Sequence, residues 1–360
     1  MNNLKSFYKN KKIIITGNTG FKGSWLTEWL KTYNAKIFGV AIDIPTIPSN
    51  FKASKVFKGI KQYRLDIREK KKIIDLFIKI KPDYVFHLAA QSLVKKSYNN
   101  PSLTWSTNLM GTLNVLEALK SLKNRCVSVI ITSDKCYLNK EINRGYKESD
   151  ILGGNDPYSA SKASAEILIN SYIKSFFQNI NSPIRIVSVR AGNVIGGGDW
   201  SEDRLIPDCV KRWSNNKVVT IRNPNSTRPW QHVLEAIYGY ILVAAKLKKN
   251  KHLHGESFNF GPSKKENRRV LILLKAIKIF WPNVKWKVKE KRNFKESGLL
   301  KLNSEKVKKM IKWKSILTFQ ETIKFTVQWY KCFYFSKNIN QLTKLQIDEY
   351  KNLLIKRQIK

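Results

Sequence analysis

Short continuous runs of apolar residues alternate with segments of helical apolar spacing through the first half of the chain. The runs predict buried strands at 11–16, 36–42, 83–90, 127–132 and 183–190. Between them, the segments 24–30, 70–80 and 102–122 have the spacing of amphipathic helices. Apolar strands that alternate with helices are typical of a parallel sheet covered on both faces. The pattern therefore predicts an α/β fold with a doubly wound parallel sheet, which binds ligands at the carboxyl ends of its strands.

The pattern changes after residue 190, where a glycine-rich stretch and shorter elements replace the regular alternation. We interpret this change as the entry into a second, smaller α/β lobe. Residues 1–190, together with about 232–260, are assigned to the sheet domain. Residues 191–231 and 261–335 are assigned to the smaller lobe, and 336–360 to a basic C-terminal tail that resembles a terminal helix.

A glycine-rich turn joins the first predicted strand to the first predicted helix. Its glycines have the spacing G-x-x-G-x-x-G rather than the common G-x-G-x-x-G. In such a turn, backbone N–H groups and a helix N-terminus can bind the pyrophosphate of a dinucleotide. The position therefore predicts a Rossmann-type dinucleotide site. Its candidate cofactor-binding residues in the turn are Gly17, Thr19, Gly20, Phe21, Lys22 and Gly23.

A carboxylate at the end of the second predicted strand indicates which dinucleotide is bound. Asp43 follows Gly23 by twenty residues, where a carboxylate can hydrogen-bond both adenosine ribose hydroxyls and would repel a 2′-phosphate. This favours NAD over NADP, although Asp43 could instead open an ordinary turn before Pro45. Further candidate cofactor-binding residues are Asp66, Ile67, Leu88, Ala89, Ala90 and Asn108. His87 lies inside its strand, and we interpret it as a core residue.

Tyr158 and Lys162 form a candidate catalytic pair. Asp156 and Pro157 precede them as a helix-start signal, and residues four apart lie on one face of a helix. A fixed lysine cation favours the phenolate, so we expect it to lower the pKa of the tyrosine and make it a better base. The alternative is two unrelated surface residues one turn apart.

Composition narrows the function classes further. The net charge of +41 is spread along the whole chain, without an arginine-rich arm, a recognition helix or a zinc finger, so specific binding to nucleic acid is not expected. Negatively charged substrates would still be attracted. The four cysteines lack paired metal-ligand spacing, and the polar first twelve residues do not resemble a signal peptide. We therefore expect a cytoplasmic protein without disulfides, metal or a membrane span.

The order of these features resembles that of the extended short-chain dehydrogenase/reductase superfamily. The glycine turn, Asp43, Asn108, Ser133 and the Tyr158/Lys162 pair carry this resemblance. Longer blocks resemble the CDP-glucose 4,6-dehydratase family, and they lie at 16–26, 132–137, 152–162, 190–200 and 228–233. The similarity spans roughly residues 11 to 350, and contiguous blocks are more specific than single motifs.

The resemblance implies a reaction in which NAD oxidises C4 of a hexose, water leaves across C5–C6, and hydride returns to C6. Tyr158 would take the 4-OH proton, while Lys162 lowers the tyrosine pKa and Ser133 hydrogen-bonds the reacting oxygen. Asp134 would donate a proton to the departing 6-OH, and Lys135, if neutral, would remove the C5 proton. The dTDP-glucose branch has glutamate where Lys135 stands. Lys135 could instead stay charged and bind diphosphate or substrate hydroxyls.

The resemblance also implies a substrate, CDP-glucose, and a homodimer joined through the helices 102–122 and 158–177. The candidate substrate-binding residues are Gln91, Asn193, Trp200, Arg204, Arg228 and Trp230. The arginines suit phosphate contacts, whereas the tryptophans could stack on the base or pack inside the lobe. The implied role is in deoxysugar biosynthesis, such as that of the lipopolysaccharide O-antigen.

Three other functions remain as alternatives. They are the dehydration of another sugar nucleotide, 4-epimerisation, and NAD sensing without catalysis. An epimerase needs C4 oxidation but no acid/base pair for the loss of water. Asp134 and Lys135, next to Ser133, therefore favour dehydration.

Overall fold

Strands and helices alternate along the described residues, which in this computed structural model are 2–179, 181–263, 267–289, 300–336 and 338–358. The strands are Lys12–Thr16 (β1), Lys36–Ala41 (β2), Lys61–Arg64 (β3), Tyr84–His87 (β4), Cys126–Ile131 (β5), Ile184–Ala191 (β6), Val194–Ile195 (β7), Val219–Ile221 (β8), Thr227–Pro229 (β9), Gln231–His232 (β10), Ser257–Phe260 (β11), Asn267–Arg269 (β12) and Trp286–Val288 (β13). The α-helices are Asn2–Tyr8 (α1), Phe21–Thr32 (α2), Asn50–Ala53 (α3), Lys70–Ile80 (α4), Val94–Asn99 (α5), Pro101–Trp105 (α6), Gly111–Lys120 (α7), Pro157–Tyr172 (α8), Leu205–Trp213 (α9), Val233–Lys249 (α10), Val270–Phe280 (α11), Glu305–Ile311 (α12), Phe319–Lys331 (α13) and Ile339–Gln358 (α14).

Seven strands form one parallel sheet in the order β11-β6-β5-β4-β1-β2-β3. β1 lies inside the sheet, paired in parallel with β2 on one side and β4 on the other. Its residues Ile13, Ile14 and Ile15 are completely buried, because helices cover both faces of the sheet. The predicted doubly wound parallel sheet is confirmed.

The direction of the strand order reverses between β1 and β4. From β1 the chain moves outward through β2 and β3, then returns to β4 on the other side and continues outward through β5 and β6. A crevice forms at such a switch point outside the carboxyl ends of the strands, and α/β proteins bind their ligands there.

Helices bury apolar side chains against both faces of the sheet. On one face, α2 and α10 contribute Trp29 and Ile237 to the larger core. On the other face, α4, α7 and α8 contribute Phe77, Leu119 and Ile169 to a second core. Each such large apolar side chain stabilises the fold by about 1.5–3 kcal/mol when it is fully buried.

Three two-stranded sheets lie outside the central sheet. β7 pairs with β10 and β8 with β13 in parallel, whereas β9 and β12 are antiparallel. These strands come from the part of the chain where the sequence predicts shorter elements and a smaller lobe. Residues 264–266 and 290–299 of that proposed lobe lie outside the described residues.

Most predicted elements differ from the observed ones by one to three residues at an end, and two of these differences lie next to the site. The predicted strand 83–90 ends at His87, because the chain leaves the sheet after one more backbone hydrogen bond, from Leu88 N to Thr16 O at 3.0 Å. The predicted helix 102–122 runs from Pro101 to Lys120, with a π-helical turn at Ser106–Met110 between α6 and α7. Such turns are frequent at functional sites.

The C-terminal helix α14 is an integral part of the fold. Ile347, Tyr350 and Leu354 are completely buried, and the Tyr350 hydroxyl donates a hydrogen bond to Glu235 Oε2 at 2.7 Å. The prediction of a terminal helix is confirmed, but the described part of 336–360 packs against α2 and α13 rather than forming a separate tail.

All four cysteines are free thiols. Within the described ranges, no helix combines the length and apolar character that a membrane span requires.

Candidate active site

The glycine turn after β1 is closely packed against the end of β4. Gly17 has a φ of +74°, and a Cβ on it would lie 2.7 Å from Ala89 N. A Cβ on Gly23 would overlap with Gly17 O and the Asn18 backbone, so both positions require glycine. The turn therefore presents a cradle of bare backbone at the N-terminus of α2, the arrangement that binds a dinucleotide pyrophosphate.

Asp43 lies beside this turn at the end of β2. Its side chain is exposed, and its carbonyl oxygen accepts a hydrogen bond from Thr19 Oγ1 at 2.7 Å. Thr19 therefore links the pyrophosphate turn to the backbone of the acidic residue, while the Asp43 carboxylate faces solvent. This geometry fits a contact between the carboxylate and a ribose.

Other predicted cofactor-binding residues lie along the same edge. Leu88, Ala89 and Ala90 follow β4 and are partly exposed. The Asp66 carboxylate accepts hydrogen bonds from Arg68 N and Nε at 2.9 and 2.8 Å, so its side chain is occupied by a neighbour in the chain. Ile67 is buried and lies against Gly111, where a Cβ would overlap with its side chain.

His87 is a core residue, as predicted. Its ring nitrogens hydrogen-bond Thr16 Oγ1 at 2.7 Å and Thr112 Oγ1 at 3.1 Å. Burial, together with the charge of Lys162, lowers the pKa of His87 to about 3. The ring is therefore neutral at physiological pH.

Asn108 and Gln91 hold the loop after β4, and their side chains are used within the protein. Asn108 Nδ2 donates to Gln91 O at 3.0 Å and to Ser161 Oγ at 2.9 Å, and its Oδ1 accepts from Gln91 N at 2.8 Å. The Gln91 amide donates to Leu93 O and Thr104 Oγ1 and accepts from Leu93 N. Direct contacts of Asn108 with cofactor and of Gln91 with substrate were expected from sequence. These buried amides attach the loop to α8 and to α6, and the two expected contacts stay predictions.

Helix α8, which carries the candidate catalytic pair, begins as the sequence predicts. Asp156 is its N-cap and accepts hydrogen bonds from Ser159 N at 2.9 Å and Ser159 Oγ at 2.6 Å, and Pro157 is the first helical residue. Tyr158 and Lys162 lie one turn apart and are both buried. The alternative of two unrelated surface residues is therefore excluded.

The electrostatics of this pair differ from the expectation. Burial raises the pKa of Tyr158 to about 12, although a hydrogen bond with Ser133 acts in the opposite direction. Burial also lowers the pKa of Lys162 to about 8, while the charge of Glu166 raises it. Removing both groups from water therefore outweighs the lowering of the tyrosine pKa that was expected from the lysine cation.

The turn after β5 presents three candidate catalytic residues. Ser133 Oγ donates to Asp134 Oδ1 at 2.9 Å and accepts from Lys135 N at 3.3 Å. Ser133 and Asp134 are buried, whereas Lys135 is half-buried. The Asp134 carboxylate lies against Gly192, where a Cβ would overlap with it. Gly192 thus leaves the space that the carboxylate occupies.

Lys22 and Arg204 extend the site toward the residues assigned to the proposed second lobe. Burial lowers the pKa of Lys22 to about 8, with a further lowering by the charge of Arg204 and an opposing effect of Asp134. Arg204 Nη1 donates to Asp199 Oδ2 at 2.8 Å, and this carboxylate raises the arginine pKa. Asp199 is buried and fixes the guanidinium close enough to Tyr158 for its positive charge to lower the pKa of the tyrosine.

The other second-lobe candidates have different environments. Trp200 is 2% exposed and its ring contacts those of Trp329, Tyr330 and Phe333, so the structure favours packing over stacking on a base. Trp230 is 6% exposed and donates from Nε1 to Arg268 O at 3.0 Å, which also indicates a packing role. Arg228 and Asn193 are partly exposed.

Sequence reasoning missed three contributors to the site: Asp199, Gly192 and the buried pair Glu166–Arg190. Glu166 lies one turn after Lys162 on the same helix, and its position was a usable signal. For Asp199 and Gly192, the sequence contains no signal besides their place in the glycine-rich stretch after β6, because their roles depend on contacts between distant elements.

The central sheet is parallel and has a glycine cradle at its switch point. A Tyr-x-x-x-Lys pair lies beside the serine that follows β5. Together these features define an extended short-chain dehydrogenase/reductase. Within this class, the family model described as GDP-mannose 4,6 dehydratase matches residues 14–326, and the chain belongs to that family.

Individual relatives agree with this assignment. The chain is 41% identical over 350 residues to a CDP-glucose 4,6-dehydratase of Salmonella typhimurium, covering 96% of this chain and 98% of the relative. Its fold is similar to an epimerase of Methanothermobacter thermautotrophicus, with a TM-score of 0.79, 22% identity, and coverage of 96% and 97% of the two chains. It is also similar to a dTDP-glucose 4,6-dehydratase of Bacillus anthracis in complex with NAD, with a TM-score of 0.72, 23% identity, and coverage of 89% and 96%.

Proposed function

We propose that this protein is an NAD-dependent hydro-lyase that converts CDP-glucose to CDP-4-keto-6-deoxyglucose. The observation that carries the proposal is the turn Ser133–Asp134–Lys135 next to the Tyr158/Lys162 pair. Oxidation at C4 requires only the tyrosine, the lysine and the serine. Two further acid/base groups at the same strand end suit the loss of water that follows.

The residues at the carboxyl edge fit NAD. The bare backbone of Gly17, Gly20 and Gly23 would bind the pyrophosphate, and the exposed Asp43 carboxylate would bind the adenosine ribose. When bound, NAD supplies the acceptor for the C4 hydride and returns that hydride to C6. Lys162 would hold the nicotinamide ribose.

Tyr158 acts as the base for the 4-OH proton in the first step. Its pKa in the protein alone is high, so the proton transfer depends on neighbouring positive charge and on the hydrogen bond with Ser133. Lys162, one turn further along α8, and Arg204, whose charge lowers the pKa of Tyr158, would supply this positive charge. The resulting 4-ketone acidifies the C5–H bond.

Asp134 and Lys135 then carry the elimination. Lys135, in its neutral form, takes the C5 proton, and protonated Asp134 gives a proton to the 6-OH, which leaves as water. After hydride has returned to C6, Lys135 gives its proton back to C5. Before the next turnover, Tyr158 releases its proton and Asp134 takes one up, so every group returns to its starting form. The sum is the loss of one water without net redox change.

Positive charge on the second lobe suits the diphosphate of a sugar nucleotide. Arg204 is held by Asp199, and a fixed guanidinium binds phosphate at a lower entropic cost than a free one. Arg228 and Asn193, both partly exposed, are further candidates for this contact. The net charge of +41 would attract such an anion from a distance.

The choice of cytidine is supported by the 41% identical relative rather than by a contact in the site. We test it by incubating the protein and NAD with CDP-, dTDP-, UDP- and GDP-glucose. The expected result is a 4-keto-6-deoxy product from CDP-glucose, with deuterium moving within one molecule from C4 to C6. Formation of 4-epimers only would reject dehydration, and a preference for another nucleotide would reject the cytidine assignment.

A homodimer is proposed on the exposed apolar side chains of the two helices that the sequence indicated. Met110, Ile167 and Phe176 are 47%, 59% and 50% exposed on these helices. Burial of such side chains in a partner's helices would form a four-helix interface. We further propose that the protein acts in the cytoplasm, in deoxysugar biosynthesis of the O-antigen type.

A further inference from the structure

A buried ion pair lies directly behind the catalytic turn and the catalytic helix. Arg190 Nη2 of β6 donates to Glu166 Oε2 of α8 at 2.7 Å, and the two side chains are 3% and 2% exposed. Glu166 also accepts hydrogen bonds from Thr132 Oγ1 and, at 2.8 Å, from Ser188 Oγ. The carboxylate thus has partners on β6 and at the end of β5.

The pair contacts both ends of the catalytic turn. Thr132, bound by Glu166, immediately precedes Ser133. Tyr137, whose hydroxyl accepts from Arg190 Nη1 at 2.7 Å, follows the turn. Thr132 and Tyr137 flank the residues Ser133, Asp134 and Lys135 in the chain, and the ion pair connects these two flanking residues. The turn is therefore held at both ends. A substitution of Glu166 would therefore alter the position of the reacting groups, although Glu166 does not contact them directly.

Stability alone does not account for such a pair. The desolvation of two buried charges often costs as much as their attraction returns, and apolar residues of similar volume frequently stabilise a core better. The full set of hydrogen bonds around Glu166 nevertheless fixes its position closely. This favours a role in the geometry and charge of the site.

Glu166 also lies one turn after Lys162, so its charge acts on the lysine. Burial by itself would raise the pKa of Glu166, but the attraction of Arg190 outweighs this effect and lowers it, so the carboxylate is ionised at neutral pH. Burial lowers the pKa of Lys162 and the charge of Glu166 raises it, and the balance is a pKa of about 8.

The other groups that face Lys162 do not replace this anion. Lys22, from the glycine turn, is a cation, and His87, from β4, is neutral because burial lowers its pKa to about 3. Cys136, after β5, is a neutral thiol, because burial raises its pKa well above the ordinary value. Among the described groups that act on the lysine, Glu166 is thus the anion at neutral pH.

We propose that Glu166, clamped by Arg190, is a positioning residue that holds the Ser133–Lys135 turn in place and keeps Lys162 charged beside Tyr158. The inference rests on the proposed function, because it concerns the proton transfer at C4. Glu166 touches neither substrate nor cofactor and acts through Lys162 and the turn.

The test compares Glu166→Gln, which removes the charge but keeps the shape, with Glu166→Asp, which keeps the charge but shortens the side chain. Initial rates with CDP-glucose and NAD are measured from pH 6 to 10. Wild-type activity should fall above about pH 8, as Lys162 loses its proton. In Glu166→Gln this fall should begin about one pH unit lower, which is close to a tenfold difference on the alkaline side. Glu166→Asp should lower kcat at every pH with the midpoint of the fall unchanged.

A second readout does not depend on turnover. Calorimetry over the same pH range measures the affinity for NAD. Because Lys162 would hold the ribose, the loss of affinity with rising pH should begin at a lower pH in Glu166→Gln than in the wild type. Glu305→Gln, at an exposed position, is the matched control and should behave as the wild type in both experiments.

The outcomes separate this inference from the proposed function. Without turnover of CDP-glucose by the wild type, the proposed function is rejected. With wild-type turnover, an unshifted pH profile and NAD affinity in Glu166→Gln overturn the charge role. A wild-type kcat in Glu166→Asp overturns the positioning role, and it does so even when Glu166→Gln fails to fold.

Discussion

Lys135 is the side chain on which the loss of water depends in the proposed mechanism. We expect Lys135→Met to retain C4 oxidation but to slow elimination by about 10²–10⁴-fold, the usual contribution of a positioned general base. Stopped-flow absorbance of the reduced cofactor follows the first step. Mass spectrometry of the sugar nucleotide follows the second.

Lys140→Met is the matched control, because Lys140 is exposed and close in sequence. It should have the activity of the wild type. Full dehydratase activity in Lys135→Met would exclude the base role and leave Lys135 as a charged residue that binds diphosphate or substrate hydroxyls.

Some residues of the site could be predicted from sequence because their position follows from local geometry. Tyr158 and Lys162 belong to one helix whose start signal is explicit, and four-residue spacing fixes their common face. The amide of Gln91 could not be placed in this way. Its partners Leu93 and Thr104 are chosen by the fold of the loop, and the same residue type would serve a substrate equally well.

Trp200 shows the same limit for a large side chain. Sequence offered stacking and packing as equal alternatives. The aromatic residues of α13 and of the π-helical turn Cys332–Ser336 that follows it favour packing. A lowered pKa of Tyr158 was also expected, from its pairing with Lys162 alone. Burial, which depends on the whole surroundings, dominates instead.

At the scale of elements, regular periodicity made the strands and long helices predictable. The π-helical turn at Ser106–Met110 was not predicted, because 102–122 was interpreted as one regular helix and apolar spacing alone does not locate an extra residue within it. Its consequence is structural, since the turn carries Asn108 and directs its amide to Gln91 and to Ser161 of α8. A local irregularity thus links the loop after β4 to the catalytic helix.

Glu235 makes the attachment of α14 dependent on pH. Its Oε1 accepts from Ile316 N and Leu317 N at 2.8 and 2.6 Å, and burial raises its pKa to about 7. A carboxyl group whose pKa is raised in the folded state binds protons more strongly there than in the unfolded state. Its contribution to stability is therefore greatest below about pH 4.5 and declines as pH rises to about 7.

We expect Glu235→Gln to flatten this part of the pH dependence, because glutamine keeps the acceptor for the two backbone N–H groups but cannot ionise. Wild-type stability should decrease between pH 5 and 8 by on the order of a few kcal/mol more than that of the variant. Thermal unfolding followed by circular dichroism measures this difference. Glu349→Gln, at an exposed position on α14, is the control, and an identical slope in Glu235→Gln and wild type would contradict the prediction.

At the scale of the whole molecule, the exposed apolar side chains of Met110, Ile167 and Phe176 predict self-association. Ile167→Lys should disrupt the dimer, since a charge buried in an apolar interface costs several kcal/mol unless it is paired. Light scattering coupled to size-exclusion chromatography should give about twice 41.8 kDa for the wild type and one chain mass for the variant at low micromolar concentration.

Ile279→Lys provides the control, because Ile279 is 65% exposed on α11, away from the two helices. This variant should remain dimeric. A wild-type protein with the mass of one chain would contradict the proposed homodimer.

The docking of α14 has a consequence for how the protein is made. The Trp29 ring of α2 packs against the Tyr350 ring with 5.6 Å between the ring centroids, and Lys351 Nζ donates a hydrogen bond to Thr32 Oγ1 at 2.8 Å. Because Lys351 follows Thr32 by 319 residues, α2 is synthesised long before the helix that covers it. Until then the apolar side of Trp29 lacks this cover, so a nascent or prematurely terminated chain would present a surface that chaperones and proteases recognise.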